Sequence, residues 1–111
     1  MIGWDDLVAL ARELPEFDES TSYGRPALKV RGKMFAALRT DPDAIVVRCD
    51  IEEKPLLLDA RADILFETPH YHGWPYMLIR LDASRDDMRE FLTDSWLIAA
   101  PKKLARELSV E

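Results

Sequence analysis

Apolar residues recur at helical spacing near the start of the chain. Leu7, Val8, Leu10, Ala11 and Leu14 fall on one face, and Pro15 follows them, which predicts a helix over residues 4–14. The next stretch, PEFDESTSYGRP, is polar and punctuated by Gly24 and Pro26, so it reads as a connection. A period of two then takes over. ALKVR puts Leu28 and Val30 on one face and Lys29 and Arg31 on the other; KMFAALR returns; AIVVRCD follows the turn TDPD. These are three strands, and connections this short force antiparallel pairing, with Gly32-Lys33 as the first hairpin loop.

Asp50 is placed to cap a short helix that Pro55 obliges to begin at about Glu53 or Lys54. DILFE is a short extended piece, HYHGWPY interrupts the pattern, and YMLIRLD is a strand. Ser84 or Asp86 then caps a long helix through Ala100, whose stripe is Met88, Phe91, Leu92, Trp96 and Ala99. Pro101 opens a last helix, PKKLAREL. The order α-β-β-β-α-β-β-α-α predicts a single α+β domain over residues 1–111. It has two layers, an antiparallel β-sheet with helices packed on one face and the other face open.

Length and composition agree with that reading. The chain has 111 residues, 48% hydrophobic and 32% charged, enough for one core. No apolar run approaches the roughly 20 residues that cross a bilayer, and MIGWDDLVALARELP lacks the basic start of a signal peptide. Neither a membrane nor a cofactor is expected. The lone Cys49 cannot form an intrachain disulfide and reads as a buried thiol, which makes the cytoplasm the natural compartment. A monomer is the expected state.

The net charge of −6 argues against a generic polyanion binder, but the average conceals an asymmetry. Residues 1–24 carry six acids and one base, whereas residues 25–48 carry six bases and two acids. Strand alternation puts Lys29, Arg31, Lys33, Arg39, Arg48 and Arg80 opposite Leu28, Val30, Met34, Leu38, Val47, Ile79 and Leu81. If helices cover the apolar side, these bases share the open one. They either solvate it or form a surface for phosphates beside aromatic rings such as Phe35 and Tyr76.

HYHGWPY holds both histidines and three of the ten aromatic residues. A metal site would need a third ligand, and Pro69, Gly73 and Pro75 argue against the extension that aligns His70 with His72. Ser20, Thr21 or Ser22 offers a hydroxyl for a histidine base, but no nucleophile-elbow pattern surrounds them. The remaining reading is a stiff aromatic turn, with Trp74-Pro75 a candidate cis bond. SYGRPALKV poses the same choice between a plain turn and an anion-holding one, and one glycine is too few for a phosphate loop.

Taken together, TSYGRPALKVRGKMFAAL, VVRCD, TPHYHGWPYMLIRLD and DSWLIAAPKKL, in that order, resemble the MmcQ/YjbR (DUF419-type) family of small bacterial proteins. The resemblance implies a CyaY-like α+β fold, the double-wing arrangement, and DNA binding is the role proposed from that fold. It carries no set of catalytic residues. The expected function is therefore non-enzymatic nucleic-acid binding, with DNA held weakly and in a salt-dependent way. Lys29, Arg31, Lys33, Arg48 and Arg80 would meet phosphates, and Tyr76 or Trp74 would stack. The alternative is a small-ligand or protein-partner module in a groove between residues 20–26 and 69–76, lined by Tyr23, Arg25, His70, His72 and Trp74.

Overall fold

The first helix, α1 (Trp4–Ala11), starts where the Asp6 carboxylate accepts the Gly3 N–H at 2.9 Å. The computed structural model describes residues 1–109. After α1 come β1 (Asp18–Ser22), β2 (Arg25–Val30), β3 (Lys33–Arg39), β4 (Ala44–Arg48) and α2 (Lys54–Ala60). The second half runs β5 (Leu65–Phe66), a 3₁₀ turn at Pro69–Tyr71, β6 (Tyr76–Arg80), α3 (Arg85–Ala99) and α4 (Lys102–Ser109). The strands form one antiparallel sheet in the order β1-β2-β3-β4-β6-β5.

Helices lie on one face of this sheet, as the pattern predicts. Leu28, Val30, Phe35, Ile45, Val47, Met77 and Ile79 meet Leu7 and Leu10 of α1, Met88, Leu92 and Trp96 of α3, and Leu104 of α4. Fully burying side chains of this size is worth about 1.5–3 kcal/mol each. Trp96 also satisfies its one polar atom, donating from Nε1 to the Glu16 carbonyl at 2.8 Å. The other face carries a thin apolar stripe, Ala27, Ala37, Ala44, Val46 and Leu78. Among the described residues no α-helix packs on it; Tyr71 and Tyr76 of the 69–76 segment pack against the stripe instead.

Four local expectations are corrected. The polar connection contains a strand, β1, which pairs with β2 from Asp18–Lys29 to Ser22–Arg25. This edge strand buries no residue, so it carries no apolar face. The β2–β3 loop is Arg31-Gly32 and not Gly32-Lys33. Both residues have positive φ, 50° and 83°, which a two-residue hairpin turn of the I′ kind demands. The third correction concerns facing. Leu28 pairs with Ala36 but Lys29 pairs with Met34, so Phe35 is a bulge that reverses the alternation. Met34 therefore joins the open face, while Lys33 sits opposite Val30 at the rim of the helix-covered side. Finally, Trp74-Pro75 is trans, since Gly73 at φ 82° makes the bend; Asp41-Pro42 is cis.

The β1–β2 turn repeats the same device with Tyr23 at φ 51° and Gly24 at φ 77°. A Cβ on Gly24 would meet no atom within 4 Å, so any penalty is conformational. Gly24→Ala is expected to destabilise the fold by about 1–2 kcal/mol in urea denaturation. An unchanged midpoint would show that the turn relaxes freely.

Candidate functional site: a cationic, aromatic-rimmed groove

On the open face, rows of side chains run across the strands. Ala27, Ala37 and Val46 form one row at the centre of the sheet, through the pairs Ala27–Ala37 and Ala37–Val46. Two positions to one side along β2 stands Arg25, with Arg39 at the far end of β3; two positions to the other side stands Lys29, paired with Met34. Small side chains in the middle row make the sheet a trough. The β1–β2 turn and the 69–76 segment complete its lining.

The result is a groove of about 800 Å³, within the roughly 300–1,000 Å³ typical of ligand sites. Its cations are Arg25, Lys29 and Arg39. Its rings are Tyr23, Tyr71, Trp74 and Tyr76, with His70 beside them, so all three tyrosines of the chain meet here. Among the described residues no carboxylate lines it, in a chain with 21 acidic residues. Thus the two surfaces expected as alternatives overlap in part: Lys29 and Tyr76 of the basic sheet face line the same groove as Tyr23, Arg25, His70 and Trp74.

Arg39 is the residue this geometry adds. Its guanidinium lies over the Tyr71 ring, 5.4 Å from the centroid, and its buried Nε has no hydrogen-bond acceptor among the described residues. Alternation had put it on this face, but nothing in the sequence singled it out. Arg25 donates to the Thr40 carbonyl at 3.4 Å and pairs with no carboxylate among the described residues.

The other candidates stand apart from the groove. Arg31 is held by both oxygens of Glu16, which lowers the Glu16 pKa, the hydrogen bond from Arg31 being the main cause. Arg80 pairs with Asp82 at 2.9 Å. Lys33 lies at the rim. Arg48 is committed to the bulge: Nε donates to the Met34 carbonyl at 2.5 Å, and the guanidinium lies 5.3 Å from the centre of the Tyr76 ring. His72 turns away to Glu67, with Nδ1 at 2.9 Å from its carboxylate. Cys49 is buried beneath the sheet, and burial pushes its thiol up to about 11, so it stays protonated near neutrality.

What holds the 69–76 wall in place is Lys54, at the first position of α2. This lysine is only 3% exposed. Its ammonium donates to the carbonyls of Tyr71 and Trp74, both at 2.8 Å, and pairs with Glu67 at 2.7 Å. Three protons meet three acceptors, which is what lets a charge sit inside. The local sequence explains the placement. Asp50 Oδ1 caps the Glu52 N–H at 2.9 Å, the turn carries the chain into α2, and Pro55 takes the second position, where a missing N–H costs nothing.

Glu67 is held below the usual carboxylate range, first by the hydrogen bond from Lys54 and then by that from His72. A depressed folded value means that the stabilisation is complete above the ordinary value of 4.5 and is lost as pH falls through the depressed one. Acid unfolding of Glu67→Gln is therefore expected to show a shallower loss of stability than wild type between about pH 5 and pH 3. Parallel curves in thermal melts would contradict this.

Fold and groove together define a small α+β sheet protein with helices behind the sheet and a cationic, aromatic-rimmed trough in front. The family model YjbR matches residues 12–98, and the chain belongs to that family. The uncharacterised protein Rv2570 of Mycobacterium tuberculosis is 29% identical over 122 residues, covering 96% of this chain and 95% of the relative; an uncharacterised protein of Mycobacterium bovis matches equally. The crystal structure of Deinococcus radiodurans protein DR2400, a DUF419 domain, superposes with a TM-score of 0.75 at 22% identity. That match covers 100% of this chain and 91% of the other, and it shows the shared fold. Among the described residues, no helix is long and apolar enough to cross a membrane.

Proposed function

We propose that the protein binds nucleic acid through this groove, without catalysing a reaction on it, and that it does so in the cytoplasm, where the free Cys49 stays reduced. One observation carries the reading: in a chain of net charge −6, the groove gathers three cations and four large rings and, among the described residues, no carboxylate. Phosphates are met by Arg and Lys, and bases are met by aromatic faces; the groove offers both within one concavity. His72 is occupied by Glu67, which speaks for an anchoring role in place of general-base work.

The test is fluorescence anisotropy of labelled oligonucleotides at low salt. Weak binding is expected, with a log–log salt slope of about −2 to −3 for some three phosphate contacts. Arg25→Ala, Lys29→Ala and Arg39→Ala together are expected to abolish it. The control is Arg31→Ala, Lys33→Ala and Arg80→Ala together, which lie outside the groove and are expected to leave binding within about twofold, since distant surface charges act weakly. Equal losses in the two triple variants would mean that general charge, not the groove, attracts the ligand.

A second reading, a small anionic ligand with an aromatic ring, is favoured by the concavity and volume of the same groove. A thermal shift produced by mononucleotides, without measurable oligonucleotide binding, would select it.

A further inference from the structure

We infer that the nucleic acid suited to this groove is single-stranded, held as one or two nucleotides with base faces against Tyr23 and Trp74; the inference rests on the nucleic-acid reading above. Tyr23 is 97% exposed and Trp74 is 61% exposed, and both line the groove, one from the β1–β2 turn and the other from the 69–76 segment. Large rings left in water at a concave site are platforms waiting for a flat partner. A base offers such a face only when it is unstacked. In a duplex every base face is covered by its neighbours, so these rings would have nothing to stack on.

The charge pattern agrees. Arg25 and Lys29 are four residues apart on β2, about 13–14 Å along the strand. Between them the floor is apolar, Ala27 with Ala37 and Val46 beside it. A duplex presents a dense double line of phosphates, one charge per roughly 1.7 Å of axis, and would ask for cations throughout. Cations at either end of β2 with an apolar floor between them suit a strand whose phosphates are spread and whose base lies between them. Moreover, α1, α3 and α4 all pack on the opposite face, so none of them lies beside the groove to enter a major groove.

The experiment compares one short mixed-sequence oligonucleotide as single strand and as duplex, at low salt, in deoxyribose and ribose forms. The single strand of at least one sugar type is expected to bind at least about tenfold tighter than its duplex. Binding is expected to quench tryptophan emission from Trp74, because Trp96 is fully buried and Trp4 packs against the core behind the sheet. Tyr23→Ser and Trp74→Ala are each expected to cost about tenfold on the single strand and little on the duplex, while Tyr23→Phe, which keeps the ring, binds as wild type. Tyr23 touches so little that its replacement leaves the fold intact, so the test survives a Trp74 variant that does not fold. Duplex binding equal to or tighter than single-strand binding, or a Tyr23→Ser variant that binds the single strand normally, overturns the inference and leaves the nucleic-acid reading standing. No binding of either form overturns both.

Discussion

Lys54→Met is expected to lower the unfolding free energy by about 3 kcal/mol, because it removes one partner of a buried charge pair. Methionine matches the length of the lysine stem, so packing is kept and the loss is electrostatic and hydrogen-bonded. The carbonyls of Tyr71 and Trp74 would lose the ammonium and keep only their backbone donors, Trp74 N at 3.0 Å and Tyr76 N at 2.8 Å, and Glu67 would keep only His72. Because Glu67 is partly open to water, the cost stays at the lower end of what breaking a buried pair brings. Urea denaturation at unchanged m-value reads the loss, and hydrogen exchange across residues 69–76 reads the freed wall. In a double-mutant cycle with Glu67→Gln, the pair should couple by about 1–3 kcal/mol. A single-variant loss below about 1 kcal/mol, the scale of an exposed pair, would contradict the buried geometry. The same variant is expected to weaken oligonucleotide binding, since Tyr71 and Trp74 line the groove.

Ser95→Ala is expected to cost about 2–4 kcal/mol, large for the removal of one oxygen. The β3–β4 ladder ends at Ala36–Val47, and the bulge at Phe35 leaves a carbonyl and the Arg48 N–H without strand partners. The Ser95 hydroxyl, fully buried on α3, accepts from Arg48 N at 2.8 Å and donates to Phe35 O at 2.6 Å. Alanine would leave two buried backbone groups unsatisfied, each costing roughly 1–3 kcal/mol. Chemical denaturation checks the value; a loss under about 0.5 kcal/mol would mean that the strands re-pair and the bulge is not held by this hydroxyl.

Both predictions arise from residues that carry no signal in the sequence. Lys54, in EEKP, reads as a solvated helix residue, and Ser95 as a polar gap in the apolar stripe of α3. Their roles depend on what arrives from far along the chain: Glu67, Tyr71 and Trp74 for Lys54, and the bulged strand for Ser95. By contrast, β1 had a readable signal. Tyr23-Gly24 and Arg31-Gly32 make the same kind of turn, so the first could have been taken as a hairpin like the second. It was obscured because DESTS has no apolar alternation, which an edge strand does not need.

The candidate site divides along the same line. Lys29, Tyr76, Tyr23, Arg25, His70 and Trp74 were all legible as charges or rings at punctuated or alternating positions, and the groove brings them together. Arg31, Lys33 and Arg80 were equally legible and stand outside it, because Glu16, the Phe35 bulge and Asp82 decide where they point and what they pair with.

What the sequence determined by itself was periodicity: the helices, five of the six strands, antiparallel pairing and helices on one face. Those follow from local sterics and from burying one apolar side of each element. The tertiary structure alone decided which bases are neutralised, which ring Arg39 rests on, and that Arg25, Lys29 and Arg39 share one groove with the aromatic turn. These depend on the bulge and on the buried Lys54, where residues distant in sequence set each other's charge, burial and direction.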